Sequence, residues 1–193
     1  MKVPLAAVLI SLFFANYCLV FAVDDSPKTD TGGKVMTEEP KMTATEFHKK
    51  MAADLFNATW DYIDKADRSP EDVDAMLLSA YASCYHWSVI GEPLNQQRGQ
   101  WMISRVYAVL GRGEPALYHA QRCLDITKQN NIGDFDAAFA NEAMARAYAA
   151  LGNKLECAKY YDLAKEAGKN IASKEDRDYF YQDLDGGNWF GMR

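Results

Sequence analysis

Tyr85-His86-Trp87, followed by Arg98, Trp101 and Arg105, is the densest group of side chains able to do chemistry in this chain. The types suit recognition of an anion better than bond breaking. A guanidinium offers a planar fork of donors to a carboxylate, and an indole offers a wall for stacking. If the helices flanking Gly91 run antiparallel, His86 and Arg98 fall at neighbouring levels and make an anion site. The alternative is that His86 and the tryptophans seal the contact between helix pairs. No Ser/His/Asp or Cys/His set has a spacing that brings a nucleophile to a base. His48 and His119 are remote in sequence, and no Cys-x-x-Cys occurs, so a zinc site has no support. Asp134-x-Asp136 reads as a helix cap followed by an acid favoured by the helix dipole. Asp183-x-Asp185-Gly186 opens like a calcium loop, but the glutamate such a loop needs does not follow. The expectation is therefore no catalysis, no cofactor and no metal.

These side chains must be positioned by helices, because no alternating apolar run is bounded by hairpin turns. Tyr107-Ala108-Val109-Leu110-Gly111 and Tyr148-Ala149-Ala150-Leu151-Gly152 are two copies of one motif. Five residues beyond each glycine stands a small residue, Ala116 or Cys157, and twelve beyond stands another, Cys123 or Ala164. A helix–turn–helix unit repeated with its small positions kept is the mark of an α-solenoid. Thr43-Ala44-Thr45-Glu46 is a capping box that starts a helix carrying Phe47, Met51, Leu55 and Phe56. Ser69-Pro70-Glu71-Asp72 starts a second, which ends about Ile90. Gly91-Glu92-Pro93 and Gly113-Glu114-Pro115 each read as a left-handed glycine cap followed by a helix-opening proline. They bound helices over about 93–111 and 115–130. Asp134 is expected to cap a fifth helix over about 135–151, and Asn153-x-x-Glu156 to box a sixth. Ser173 begins a short seventh helix ending near Leu184, after which 186–193 should be a loose tail.

Helices three to six resemble tetratricopeptide repeats, whose pattern carries a Tyr, then Leu-Gly, then spaced Ala and aromatic residues. The match lies at Tyr107, Gly111, Ala116 and Leu124, and at Tyr148, Gly152, Tyr161 and Ala164. Ser104 and Ala145 stand where the family's first-helix glycine would fall, and the repeats lie 41 residues apart instead of the usual 34. The chain is also similar to bacterial proteins with a tetratricopeptide-like domain. The resemblance implies an all-α fold of about seven helices, in antiparallel hairpins stacked as a short solenoid, with residues 42–185 as the domain. It implies further that Tyr107 and Tyr148 are buried between paired helices. In this family the first helix of each pair lines a concave groove. That register would set Arg98, Trp101, Arg105, Glu142 and Arg146 on one shallow face able to take a short acidic or C-terminal peptide. Tyr85 and His86 form a secondary candidate. On this reading, charge reversal at Arg105 weakens partner binding and hardly changes the melting temperature.

Met1-Lys2 precedes an uncharged apolar run from Val3 to Val23, with Val20 and Ala22 at the −3 and −1 positions of a cleavage site. The pattern reads as a signal peptide over 1–22, and an uncleaved membrane anchor is the alternative. Residues 23–41 are polar and lack apolar period, so they read as a linker. The expected location is secreted, periplasmic or cell envelope. Loss of Lys2, the one charged residue before Ala22, takes the formal net charge from −6 to −7. That balance and the lack of a Lys/Arg cluster disfavour nucleic acid. Cys84, Cys123 and Cys157 remain after cleavage, an odd number that leaves at least one free thiol unless chains pair. The function expected is a non-enzymatic protein- or peptide-binding scaffold. A structural homo-oligomer (a homodimer pairing edge helices) and a small-molecule or anion sensor are the alternatives.

Overall fold

The computed structural model describes residues 42–193, so the signal or anchor segment and the linker read from the sequence lie outside the described residues. The described chain is helical, with no strand. It runs through α1 (Ala44–Ile63), α2 (Pro70–Ile90), α3 (Pro93–Val109), α4 (Gly113–Gln129), α5 (Asp134–Ala150), α6 (Lys154–Gly168) and α7 (Lys174–Asp185). Connections this short force consecutive helices to lie antiparallel. Each helix packs on the next, and α3 and α5 also pack side by side, so the hairpins stack as a helical solenoid.

Local chemistry sets most of the boundaries. Thr43 Oγ1 accepts from the Glu46 N–H at 3.2 Å while Glu46 accepts from the Thr43 N–H at 2.8 Å. Ser69 and Asp72 close a second reciprocal box, at 3.2 and 3.1 Å. Each box satisfies two donors that no helix bond can reach, worth about 1 kcal/mol per cap. Asn153 accepts from the Glu156 N–H at 3.2 Å, which caps α6 from one side.

Three caps differ from the sequence reading. Gly91 is extended (φ −88°, ψ 159°), not left-handed, and Glu92, which Pro93 restricts to the extended region, continues it (φ −83°, ψ 172°). A Cβ at Gly91 would lie 2.5 Å from the Trp87 carbonyl oxygen, so glycine is needed there for space. Gly113 is the first residue of α4, and a Cβ on it would meet the Leu151 amide nitrogen at 2.7 Å. The left-handed turns belong to the repeat glycines, Gly111 (φ +68°) and Gly152 (φ +72°). Asp134 does not cap α5: it opens the helix with φ +54°, and its carboxylate accepts from the Ala172 N–H at 3.1 Å. The acid thereby ties the loop before α7 to the start of α5.

The core runs continuously from α1 to α7. In α5, Ala138, Ala140, Ala143, Ala145, Ala147 and Ala149 are all buried, so this helix shows no exposed stripe. A helix packed on several sides is apolar all round, and alanines let neighbours approach at the short end of the interaxial range. Cys123 and Cys157 are fully buried at the small-residue positions, and all three cysteines among the described residues are free. Burial pushes both of those thiols above their ordinary pKa, which keeps them poor nucleophiles. Tyr107 and Tyr148 are only partly buried, a correction to the reading that had them buried between paired helices. Each still meets its paired helix: Tyr107 stacks on His119 of α4 at 6.0 Å, and Tyr148 on Tyr160 of α6 at 5.6 Å.

The chain after α7 is packed, not loose. Trp189 is 7% exposed, and Phe190 and Met192 lie against the core. Gly187 (φ +75°) and Gly191 (φ +72°) supply the turns that bring this strap back over α5 and α6.

Candidate functional site

The side chains that the repeat register assigns to a groove do converge, but they are buried. Trp101 and Arg105 follow each other one turn apart on α3, as Glu142 and Arg146 do on α5, so side-by-side packing brings the four together. Arg105 Nη1 donates to Glu142 Oε1 at 2.6 Å. Arg146 Nε donates to the same oxygen, and Trp101 Nε1 reaches Glu142 Oε2 at 3.4 Å. The second acid comes from α7: Asp183 accepts from Arg105 Nη2 at 2.6 Å and from Nη1 at 3.1 Å. Arg146 Nη2 donates to the Asp183 carbonyl at 2.7 Å, and its guanidinium lies 4.4 Å from the Trp189 ring centroid. Two guanidiniums and two carboxylates thus form a neutral quartet in which no member is more than 8% exposed. Burial acts to lower the Arg105 pKa, but Asp183 and Glu142 outweigh it and hold the group more firmly protonated than usual.

The open groove expected from the sequence is therefore corrected: α7 and the strap fill it. An aromatic ladder runs beneath α7. Trp60 of α1 lies 5.9 Å from Trp101, Trp101 lies 5.4 Å from Phe139, and Phe139 meets Phe180 of α7 edge-on at 5.0 Å. With Trp60, Trp101 and Phe139 exposed, the first-helix face would be an apolar trough; α7 covers it with Tyr179, Phe180 and Leu184. Trp101 lies in the core, and Arg105 is no surface residue whose reversal would spare stability. Sequence reasoning missed Asp183 and Trp189. A signal existed, since Asp183 shares the apolar face of α7 with Tyr179, Phe180 and Leu184 and could be tolerated there only with a buried cation.

Arg98 stands apart from the quartet. Its Nε and Nη2 donate to the two oxygens of Asp136 at 2.7 and 2.9 Å, a bidentate pair across α3 and α5. His86 turns the other way, toward α1, where its Nδ1 lies 2.9 Å from His48 Nδ1 with Phe47 edge-on to both rings. The joint His86–Arg98 anion site is thus not formed, because the two side chains leave the α2–α3 hairpin on different sides. Burial, then His48, holds the His86 pKa below its ordinary value. Tyr85 is 62% exposed beside it.

A second polar group was invisible in the sequence. His119 of α4 has Nδ1 2.8 Å from Gln100 Oε1 and Nε2 3.0 Å from the Tyr81 hydroxyl, which also lies 3.2 Å from the Tyr107 hydroxyl. An amide oxygen only accepts, so Nδ1–H donates to it, and in the neutral ring Nε2 accepts from the Tyr81 hydroxyl. Burial, with Arg122 nearby, lowers the His119 pKa to about 4. An open cleft of about 500 Å³ beside α4 is lined by Leu117, Tyr118, Arg122, Asp125, Tyr148 and Leu151, and neither Trp60 nor Gln97, whose side chains hold buried unpartnered polar atoms, lines it. Among the described residues no three His, Cys, Asp or Glu gather as metal ligands, and no helix is long and apolar enough to cross a membrane.

Comparison with known proteins finds no matching protein-family profile, no matching curated protein and no matching solved structure.

Proposed function

We propose that the protein is a non-enzymatic interaction module of the tetratricopeptide type, exported to the envelope or beyond, whose first-helix face holds an acidic, aromatic-bearing chain segment. One observation carries the reading: that face already holds such a segment in cis. Residues 179–189 lie on it through the Asp183 carboxylate, gripped by Arg105, the Asp183 backbone carbonyl, held by Arg146, and the Trp189 indole, stacked on the Arg146 guanidinium. A partner presenting the same chemistry competes for the part nearest solvent, where the strap lies against Arg146 and Tyr161. The strap suits release better than α7 does. Glycines bound it, and it is held at the edge of the core by Trp189, Phe190, Met192 and Arg193, whose guanidinium donates to the Leu184 carbonyl at 2.9 Å and lies over the Tyr161 ring. Phe180 and Leu184, in contrast, are fully inside the core.

The experiment is a fluorescence-anisotropy titration of a labelled peptide with the sequence of residues 180–192, against the full chain and its Trp189→Ala variant. A tethered segment competes at an effective concentration on the order of millimolar, so the native chain should bind the peptide weakly. Trp189→Ala should bind it at least tenfold more tightly, and a peptide with Trp replaced by Ala should lose that gain. Equal, negligible binding by both chains would overturn the reading.

A further inference from the structure

Helix α2 presents an unpartnered apolar face, and we infer that a second copy of this chain covers it, α2 against α2, in an antiparallel two-fold dimer. The proposal is independent of the peptide-binding reading, since it uses the opposite side of the first hairpin.

From Ala75 to Ile90 the helix carries no Asp, Glu, Lys or Arg. One side is inside: Met76, Ala80 and Ser83 are buried, and Ser83 Oγ donates to the Ala52 carbonyl of α1 at 2.7 Å. The other side holds Leu78, Tyr81, Tyr85 and Val89, which are 70%, 42%, 62% and 49% exposed. Steps of three and four residues keep these on one stripe of the helix, the spacing of a coiled-coil seam. Tyr118 of α4, 58% exposed, extends the patch across His119, whose ring meets both Tyr81 and Tyr118 edge-on. A helix apolar on every side is ordinarily buried on every side. Side chains this exposed make a patch on the order of a few hundred Å², the size of the largest apolar patch on a typical monomer and often a functional one.

Three features favour a second copy over other occupants. First, the stripe is self-complementary. An antiparallel pair of α2 helices crossing at Ser83 sets Tyr81 against the partner's Tyr85 and Leu78 at the level of the partner's Ser88, beside the partner's Val89. This is the isologous arrangement a two-fold axis requires. Second, the stripe has no charge with which to select an unlike partner, and charge depletion with aromatic enrichment marks the core of an interface. Third, the charges flanking the stripe's start are Glu71, Asp72 and Asp74. Acids there repel an anionic lipid surface, where an interfacial helix would carry Lys or Arg. The patch is smaller than the roughly 800 Å² per partner of a standard interface, so association should be in the micromolar range.

Sedimentation of the full chain over about 1–100 µM, density-matched if detergent is needed to hold it, tests this. We expect a concentration-dependent dimer. Leu78→Glu and Val89→Lys, made separately, should each weaken it at least tenfold while leaving the far-ultraviolet spectrum and melting temperature in place, since both sites are exposed. Mixing the two variants should restore a heterodimer, because the antiparallel register sets the introduced acid beside the introduced base. Tyr85→Glu gives a second disruption should either variant misfold. A chain monomeric at 100 µM overturns the inference, as does a dimer indifferent to Leu78→Glu and Tyr85→Glu. A monomer that floats with lipid vesicles until Leu78 is charged assigns the face to a membrane and overturns it equally.

Discussion

Asp183→Ala should be among the most damaging single changes in the protein, although it removes only a carboxylate from a short C-terminal helix. Asp183 is 5% exposed and takes two charge-assisted bonds from Arg105, while Arg146 Nη2 lies 3.6 Å from its Oδ2. Without it, two guanidiniums face Glu142 alone in a space from which water is excluded. Breaking a buried ion pair by deleting one partner costs about 3–5 kcal/mol, because the remaining charge stays desolvated and unpaired. Domains of this size lose about 2–4 °C of melting temperature per kcal/mol, so the transition should fall by about 6–20 °C. Urea unfolding followed by circular dichroism at pH 7 measures the loss directly. A double variant, Arg105→Met with Asp183→Leu, leaves Arg146 and Glu142 as a neutral pair. It should be more stable than the sum of the single effects by about 0.5–3 kcal/mol. A loss below about 1 kcal/mol for Asp183→Ala, the size of a surface change, would mean that water reaches the quartet and that α7 does not seal the face.

Two further outcomes rest on equally local geometry. Folded His119 takes a proton only near pH 4, whereas unfolded histidine takes one near 6.5. The unfolded state therefore binds more protons between those values, and stability should be flat above about pH 6.5 and fall by up to about 3 kcal/mol on acidification to pH 4. His119→Gln should flatten that segment of a pH-resolved unfolding series; an unchanged slope would remove His119 as its cause. At Gly168 a Cβ would lie 2.5 and 2.7 Å from two Phe180 ring carbons, while at Gly152 nothing lies within 4 Å but φ is +72°. Gly168→Ala should cost about 1–3 kcal/mol by overpacking and Gly152→Ala about 1 kcal/mol by backbone strain. Urea midpoints in the reverse order would show that α7 yields easily.

Helix positions were legible because their signals are local. Thr43 with Glu46 and Ser69 with Asp72 are chemistry contained within four residues. Gly111 and Gly152 marked turns for the same reason, although the cap reading puts the left-handed backbone at Gly91 and Gly113. The register implied by the repeat resemblance also set Trp101, Arg105, Glu142 and Arg146 on one face, where they meet, and Arg98 with them, which pairs with Asp136 instead. Local cap signals misjudged Gly91, Gly113 and Asp134, whose roles depend on the Trp87 carbonyl, the end of α5 and the loop before α7. Whether the shared face was open or filled lay beyond any local pattern. The residue that decides it, Asp183, meets Arg105 from 78 positions away, and Trp189 reaches Arg146 only because α7 and the strap fold back. A helix announces which residues it presents together. What covers them is chosen by the whole chain, in a competition among apolar faces for burial and among buried charges for partners.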